Sequence, residues 1–524
     1  MIYGCSGKTN IVQPSPFDQK MWESAAANGV LVNEGYERCR RFVEGWLNYA
    51  DATSGLIPRN INESHDIWNA KDAAADNYPF MVLTAALTDS AMFEGTMKKM
   101  LETEERLTSR IGHMPDTYQF SKGTFQNDGI DMSEIIFGSS EYIKDGLMPL
   151  TEWLGVSAWS KRMLEILDDV WQYAPIETSL GNIPSENVEV NGEMLQVLSR
   201  VYWMTHDQKY LEWAIRLGDY YLLGDRHPTR DFKELRLRDH GCEIVSGLCE
   251  LYATLHFVMP EKKSEYRPHI HEMLDRILET RNSDGLFYDV VNPQTGTMIK
   301  DRVADNFGYN LNGFYTVYQL DSNIAYRDAT LKALDVLDAK YRNFAWEDTS
   351  SDGYADAIEG ALNLYNREPL GSTKSWLDSE IKVMWGKQQD DGIIEGWHGD
   401  GNFARTTIMY CLWKTKGVYV KPWRSDLKLG ATMSGDTLWM SLQADAPWTG
   451  KIYFDHPRHR DVLHLPYDWP RINQFPEWFV VDSASRHKYL SGADNSIVEY
   501  SGRELLAGIP ASCQVGEPKR IKVY

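Results

Sequence analysis

Basic residues are scarce in this chain. Lys and Arg number 54 against 75 Asp and Glu, and the formal net charge is −21. A nucleic-acid partner is disfavoured, because such affinity rests on clustered Lys and Arg and no such run occurs. Cysteine is sparse too: Cys5, Cys39, Cys242, Cys249, Cys411 and Cys513 form no CxxC pair and no metal-finger spacing. Cys242 and Cys249 lie about two helical turns apart, too far for a disulfide, and the set reads as small buried side chains. No apolar run reaches transmembrane length. A Gly-rich phosphate loop, a Gly-x-Ser-x-Gly elbow and a His-Glu-x-x-His pair are all missing, so phosphate-loop, serine-hydrolase and zinc-protease chemistry lose support. His269 and His271 read as residues of an outer helix surface. No metal and no cofactor are expected.

Aromatics are abundant, with 18 Trp and 28 Tyr. Their amphipathic rings suit a core and also a sugar-binding cleft. Near the start, Gly4-Cys5-Ser6 resembles the end of a bacterial lipoprotein signal, without the apolar stretch that precedes one. Cys5 is therefore a candidate lipid anchor, with a secreted, periplasmic or outer-membrane-anchored location.

Five segments share one pattern: an acid, then twelve positions later an apolar residue followed by Tyr or Trp. They pair Glu189 with Tyr202, Asp239 with Tyr252, Asp305 with Tyr318, Asp352 with Tyr365 and Asp400 with Trp413. Copies lie roughly 47 to 66 residues apart, the spacing of an array of repeated units. Gly-led stop signals such as Gly55-Leu56-Ile57-Pro58 and Gly181-Asn182-Ile183-Pro184 separate the helical stretches. The reading is alternating helices. Amphipathic outer ones are expected near 34–50, 90–110, 156–174, 207–223, 260–280, 322–342 and 374–388. More apolar inner ones are expected near 72–88, 131–154, 186–204, 240–256, 305–319, 354–366 and 402–414. Six or seven hairpins of this kind stack as a solenoid or close into a ring. Past Pro422 the composition turns to short alternating strands: 437–444, 451–454, 462–465, 478–481, 496–500 and 521–524. The division expected is an extension over 1–30, a helical unit over 31–421 and a β unit over 422–524.

Stacked with one polarity, the inner helices gather their acidic ends on one rim. There the backbone plan repeats while the polar residues differ. Asp239 and Glu243 share a helix face, where close carboxylates repel and one becomes a proton donor near neutral pH. The first copy offers Glu189 and Glu193, the third Asp305, Asn306 and Tyr309, and the fifth Asn402 and Arg405 after Trp397-His398. Trp68 and Asp76 belong to an earlier inner helix. Carboxylates, amides, His and aromatics together match carbohydrate chemistry, and Arg238, Arg302 and Arg405 suit a uronic carboxylate. N-capping and ion pairing explain any one of these residues as well.

The Gly-Leu-Ile-Pro-like turns and the polar inner-helix starts, from Asp72-Ala73-Ala74-Ala75-Asp76-Asn77 to Asp400-Gly401-Asn402, resemble the six-hairpin, or (α/α)6-toroid, glycosidase superfamily over roughly 34–420. Unsaturated glucuronyl hydrolases and β-glucuronidases are families within it. The resemblance implies a mainly α toroid with a small C-terminal β-sheet or β-sandwich and a pocket at the inner-helix ends. It implies an exo-acting glycoside hydrolase on uronic-acid-bearing oligo- or polysaccharides. Asp239 and Glu193, then Asp76 and Asp305, are the expected catalytic acids. Arg238, His240, Asn306, Tyr309, Trp397, His398, Asn402, Arg405 and Trp68 are the expected sugar contacts. A polysaccharide lyase, a sugar epimerase or isomerase and a non-catalytic glycan binder are the alternatives.

Overall fold

The computed structural model describes residues 15–491 and 496–524, apart from the side chains of His240 and Ser496. Cys5 lies outside the described residues.

Each expected helix is present, within a few residues at most ends. The outer helices are Pro16–Leu47, Lys98–Thr108, Ala158–Gln172, Gln208–Leu222, Pro260–Glu279, Ile324–Lys340 and Gly371–Trp385. The first starts well before the expected 34. The inner segments are Ala70–Asn77 running into Tyr78–Thr88, Met132–Glu141 running on to Met148–Leu154, Val188–Thr205, Glu243–Val258, Phe307–Asp321, Ser351–Arg367 and Gly399–Thr415. Every inner segment packs on the next, and the last packs on the first. The fold is thus a closed α/α toroid, with seven inner segments among the described residues.

Small residues let neighbouring inner helices approach at the backbone. A Cβ on Gly247 would lie 2.4 Å from the Gly192 carbonyl oxygen, and one on Gly401 would lie 2.0 Å from that of Asp76. The second contact is the seam that closes the ring. Two inner segments, Ala70–Asn77 and Tyr142–Leu147, wind in wide π-type turns. Such turns concentrate at functional sites, and these two carry Asp72, Asp76, Lys144 and Asp145.

The β unit has its own core, from Val418 to Val523. A five-stranded antiparallel sheet runs Lys428–Ser434, Thr437–Gln443, Lys519–Val523, Arg486–Ser491, Ser496–Ser501. A three-stranded sheet runs Ile509–Cys513, Trp448–Tyr453, Tyr419–Lys421. The segments expected as strands at 462–465 and 478–481 are not strands. Leu463, Leu465, Trp469 and Phe475 join the hydrophobic core of the ring instead. This excursion, 455–481, reaches from the β unit into the ring. The first helix links the same two bodies. Its Trp22 indole donates to the Ile521 carbonyl at 3.1 Å, while its Trp46 donates to Asp400 at 3.0 Å.

Candidate active site

The five repeat acids all sit at the starts of successive inner helices. Glu189, Asp352 and Asp400 lie in first turns, and Asp239 and Asp305 just precede theirs. The partial positive charge of a helix N-terminus favours anions there, so one end of the ring collects carboxylates. A cavity of about 360 Å³ opens at that end. Its lining holds ten carboxylates against four Lys or Arg, together with His398, Asn306, Asn402, Asn473, Tyr309 and Phe137.

Of the residues expected from sequence, Asp76, Asp239, Asn306, Tyr309, His398, Asn402 and Arg405 line this cavity. The side chain of His240 is outside the described residues. Others lie elsewhere. Trp68 is 2% exposed within the ring core, on a short strand paired with Tyr118, and offers no stacking face. Asp305 is buried off the cavity, accepting from the Asn306 N–H at 3.2 Å. Arg238 pairs with Glu347. Trp397 lies against the Arg59 guanidinium at 4.9 Å, its indole nitrogen 3.2 Å from His398 Nε2. Glu193 is buried in a group with Glu141 and Asp145, their oxygens within 4.8 Å of one another. The Lys144 ammonium supplies positive charge to that group, 2.7 Å from Asp145 Oδ1 and 2.6 Å from Glu243 Oε1.

At the deep end, polar groups are fully committed to one another. Arg405 reaches Asp356 Oδ1 at 2.6 Å, Glu359 Oε2 at 2.9 Å, Asn402 Oδ1 at 2.9 Å and Asn473 Oδ1 at 3.0 Å. The Tyr309 hydroxyl lies 2.6 Å from Glu359 and 2.9 Å from Asp356, and Asn306 Nδ2 donates to Asp356 at 2.8 Å. Asn473, on the excursion from the β unit, forms the floor. Its backbone N–H donates to Glu359 at 2.6 Å and its Nδ2 to Asp145 at 2.6 Å. Arg471 anchors the same segment through Glu152 at 3.1 Å.

On one wall, the charges sort themselves. His398 Nδ1 lies 3.5 Å from Asp72 and its Nε2 3.5 Å from Asp352. Burial alone would lower the imidazole, but Asp352, with Asp76 and Asp72, raises its pKa to about 9. It is a cation near neutral pH. Burial would likewise raise Asp352, but His398, Asn402 and Arg405 overcome it and hold this carboxyl below the usual carboxylate range. Asp76 moves the other way. Burial pushes it well above its ordinary value; His398 opposes, while Asp145, Asp352 and Asp72 add to the rise. Glu347 also faces the cavity, and burial followed by the nearby Asp352 lifts it to about 6.

Sequence reasoning missed Glu347, Asn473 and the Glu141–Lys144–Asp145 group. Charged residues in the middle of an otherwise apolar inner helix were the available signal for the last, since such residues are rarely buried without a task. The run Arg471-Ile472-Asn473-Gln474 between Trp469 and Phe475 was the signal for the floor. Glu347 had none, because its placement depends on the backbone turn around it.

A scan of protein-family models and a comparison with curated proteins give no match. Among solved structures, the α-1,6-mannanase of Salegentibacter sp. HEL1_6 is 11% identical, over 72% of this chain and 98% of its own, with a TM-score of 0.40. Cellobiose 2-epimerase from Bacillus thermoamylovorans is 11% identical over 50% of this chain and 84% of its own, with a TM-score of 0.38. Unsaturated glucuronyl hydrolase from Bacillus sp. GL1 is 14% identical over 54% and 86%, with a TM-score of 0.36. Likeness at this level says nothing of activity, and the toroid stands on the helix contacts described above.

Proposed function

We propose that the chain is a glycoside hydrolase whose proton donor is Asp76 and whose ionised carboxylate is Asp352. The observation that carries the reading is that both carboxyls line one cavity beside His398, 3.5 Å from Asp352, and that their surroundings displace them in opposite directions. Paired titratable groups pushed apart by their surroundings mark an acid and a base. Asp76 gives its proton to the glycosidic oxygen, the bond from that oxygen to the anomeric carbon breaks, and a water oxygen takes its place. Asp352 either accepts the proton of that water, or first bonds the anomeric carbon itself, in which case the deprotonated Asp76 accepts the water's proton as the bond to Asp352 breaks. His398 keeps Asp352 ionised. Asp239 at the mouth and Glu193 below the wall act as contacts and electrostatic neighbours rather than as the acid pair.

Substrate preference follows from the charge of the lining. Of the four lining cations, Arg405 is matched by Asp356 and Glu359, Lys144 by Asp145 and Glu243, Arg236 by Asp239 and Lys71 by Glu134. These are the cations that a uronic carboxylate would need, so the cavity favours a neutral or amine-bearing sugar. The lyase alternative loses ground for a similar reason, because Tyr309 and Asn306 are spent on Asp356 and Glu359. Closure of the floor by Asn473 favours attack at a chain end.

The test is a panel of 4-nitrophenyl mannosides, glucosides, galactosides, glucosaminides and glucuronides in both anomeric forms, with matching oligosaccharides. On the best substrate, Asp76→Asn and Asp352→Asn should each lower kcat by about 100-fold or more, with melting temperatures retained. Full turnover in either variant removes that residue from the role given to it.

A further inference from the structure

A second cavity adjoins the first. It measures about 340 Å³ and is bounded by Asn187, Glu189, Phe232, Glu234, Arg236 and Gly241 among others. Glu189 and Arg236 line both spaces, so the two are lobes on either side of a shared wall. The main cavity ends at its Asn473 floor. A glycan whose terminal sugar fills it must leave through the mouth, and the second lobe stands beside that exit.

The lobe has the parts of a sugar site. Phe232 is half-buried and packs against the ring core, which fixes its ring in place. Arg236 is held by Asp239 and extends from a short strand paired with Val290 and Val291. A side chain at 241 would collide with Arg236, its Cβ 2.6 Å from the Arg236 Cβ, so Gly241 lets the two backbones meet at the lobe. Asn187 accepts from the Glu189 N–H at 2.9 Å, and no described residue takes its side-chain N–H. An apolar ring face flanked by an amide, a carboxylate and a guanidinium is the combination that binds an uncharged pyranose through its C–H face and its hydroxyls.

We propose that this lobe binds the second sugar of the glycan, the one adjoining the terminal unit in the main cavity. The inference rests on the hydrolase reading above for the order of the two sugars. It assigns Phe232 and Glu234 to recognition of chain length and not to bond cleavage.

Calorimetric titration in an Asp76→Asn background, in which cleavage is slowed, separates the two claims. Methyl glycosides and trisaccharides of mannose, glucose and glucosamine serve as probes. In the series that binds, the trisaccharide should bind at least tenfold tighter than the methyl glycoside. Adding Phe232→Ala or Glu234→Gln should remove most of that gain and leave methyl glycoside affinity unchanged. A trisaccharide with no advantage, or an advantage that survives both substitutions, overturns the second-sugar site. Glycan cleavage at the wild-type rate during the titration refutes the role of Asp76 and leaves the lobe to be judged by its affinities. No binding in any series refutes both.

Discussion

His398 holds the site's charge arrangement together, and its effect is readable in stability. Its folded pKa, about 9, lies above its ordinary value of 6.5. The protonated form is favoured by folding, so the contribution is fully present below about pH 6.5 and is lost as pH rises through 9. Thermal melts of the wild type should fall across that window, and melts of His398→Gln should fall less. At pH 6 the variant should be less stable by about 1–3 kcal/mol, the usual loss for a buried bond to charged groups. Equal pH slopes in both proteins would remove His398 from this role. At this scale the sequence was informative about type and less so about place. Asp239 and Glu193 looked strongest because acids at spacing four suggest mutual repulsion. The structure gives Asp239 an arginine and Glu193 a buried group with Lys144 close by. Asp76 was a lesser candidate, since its character comes from His398, which is more than 300 positions away.

Elements were the most legible level, because inner and outer helices differ in hydrophobic pattern. The repeat acids mark the starts of five inner helices, yet they serve different ends. Asp400 is consumed by Trp46 and by the N–H groups of Ile394, Glu395 and Gly396 as a structural anchor. Short apolar runs were less legible. Four alternating residues describe a buried loop as well as a strand, and 462–465 and 478–481 are examples. The turn before Ser351–Arg367 was invisible in sequence. Glu347, Asp348 and Thr349 occupy the left-handed region in succession, at φ 43°, 56° and 73°. That conformation costs a non-glycine residue roughly 1–2 kcal/mol, most of all a β-branched one. The turn is held by Arg238 on Glu347, Ser350 Oγ donating to Glu347 at 2.6 Å, and Arg302 on Asp348 at 2.9 Å. Strain of this kind is retained where a function needs the geometry. Thr349→Gly should therefore raise stability in urea unfolding by up to about 1 kcal/mol while lowering kcat. Unchanged or reduced stability would show that the turn stores no strain at this position.

For the whole molecule, the toroid was legible and the entry of the β unit into it was less so. Ring closure follows from seven similar hairpins, whereas the polar run 471–474 between Trp469 and Phe475 is the one local sign that 455–481 enters the ring. Its polar residues find partners on three inner segments: Arg471 on Glu152, Asn473 on Asp145, Glu359 and Arg405, and Asp468 on Arg367. The β unit thereby completes the site instead of decorating it. On the proposed reading, a cavity floored by Asn473 with Asp76 as donor and Asp352 as base predicts the form of the products. The most direct measurement is mass spectrometry of the products from a reducing-end-labelled oligosaccharide of the preferred sugar. The account predicts stepwise loss of single sugars from the unlabelled end, each cleavage adding one water. Internal fragments from the outset, an unsaturated product, or no cleavage of any glycan in the panel would contradict it.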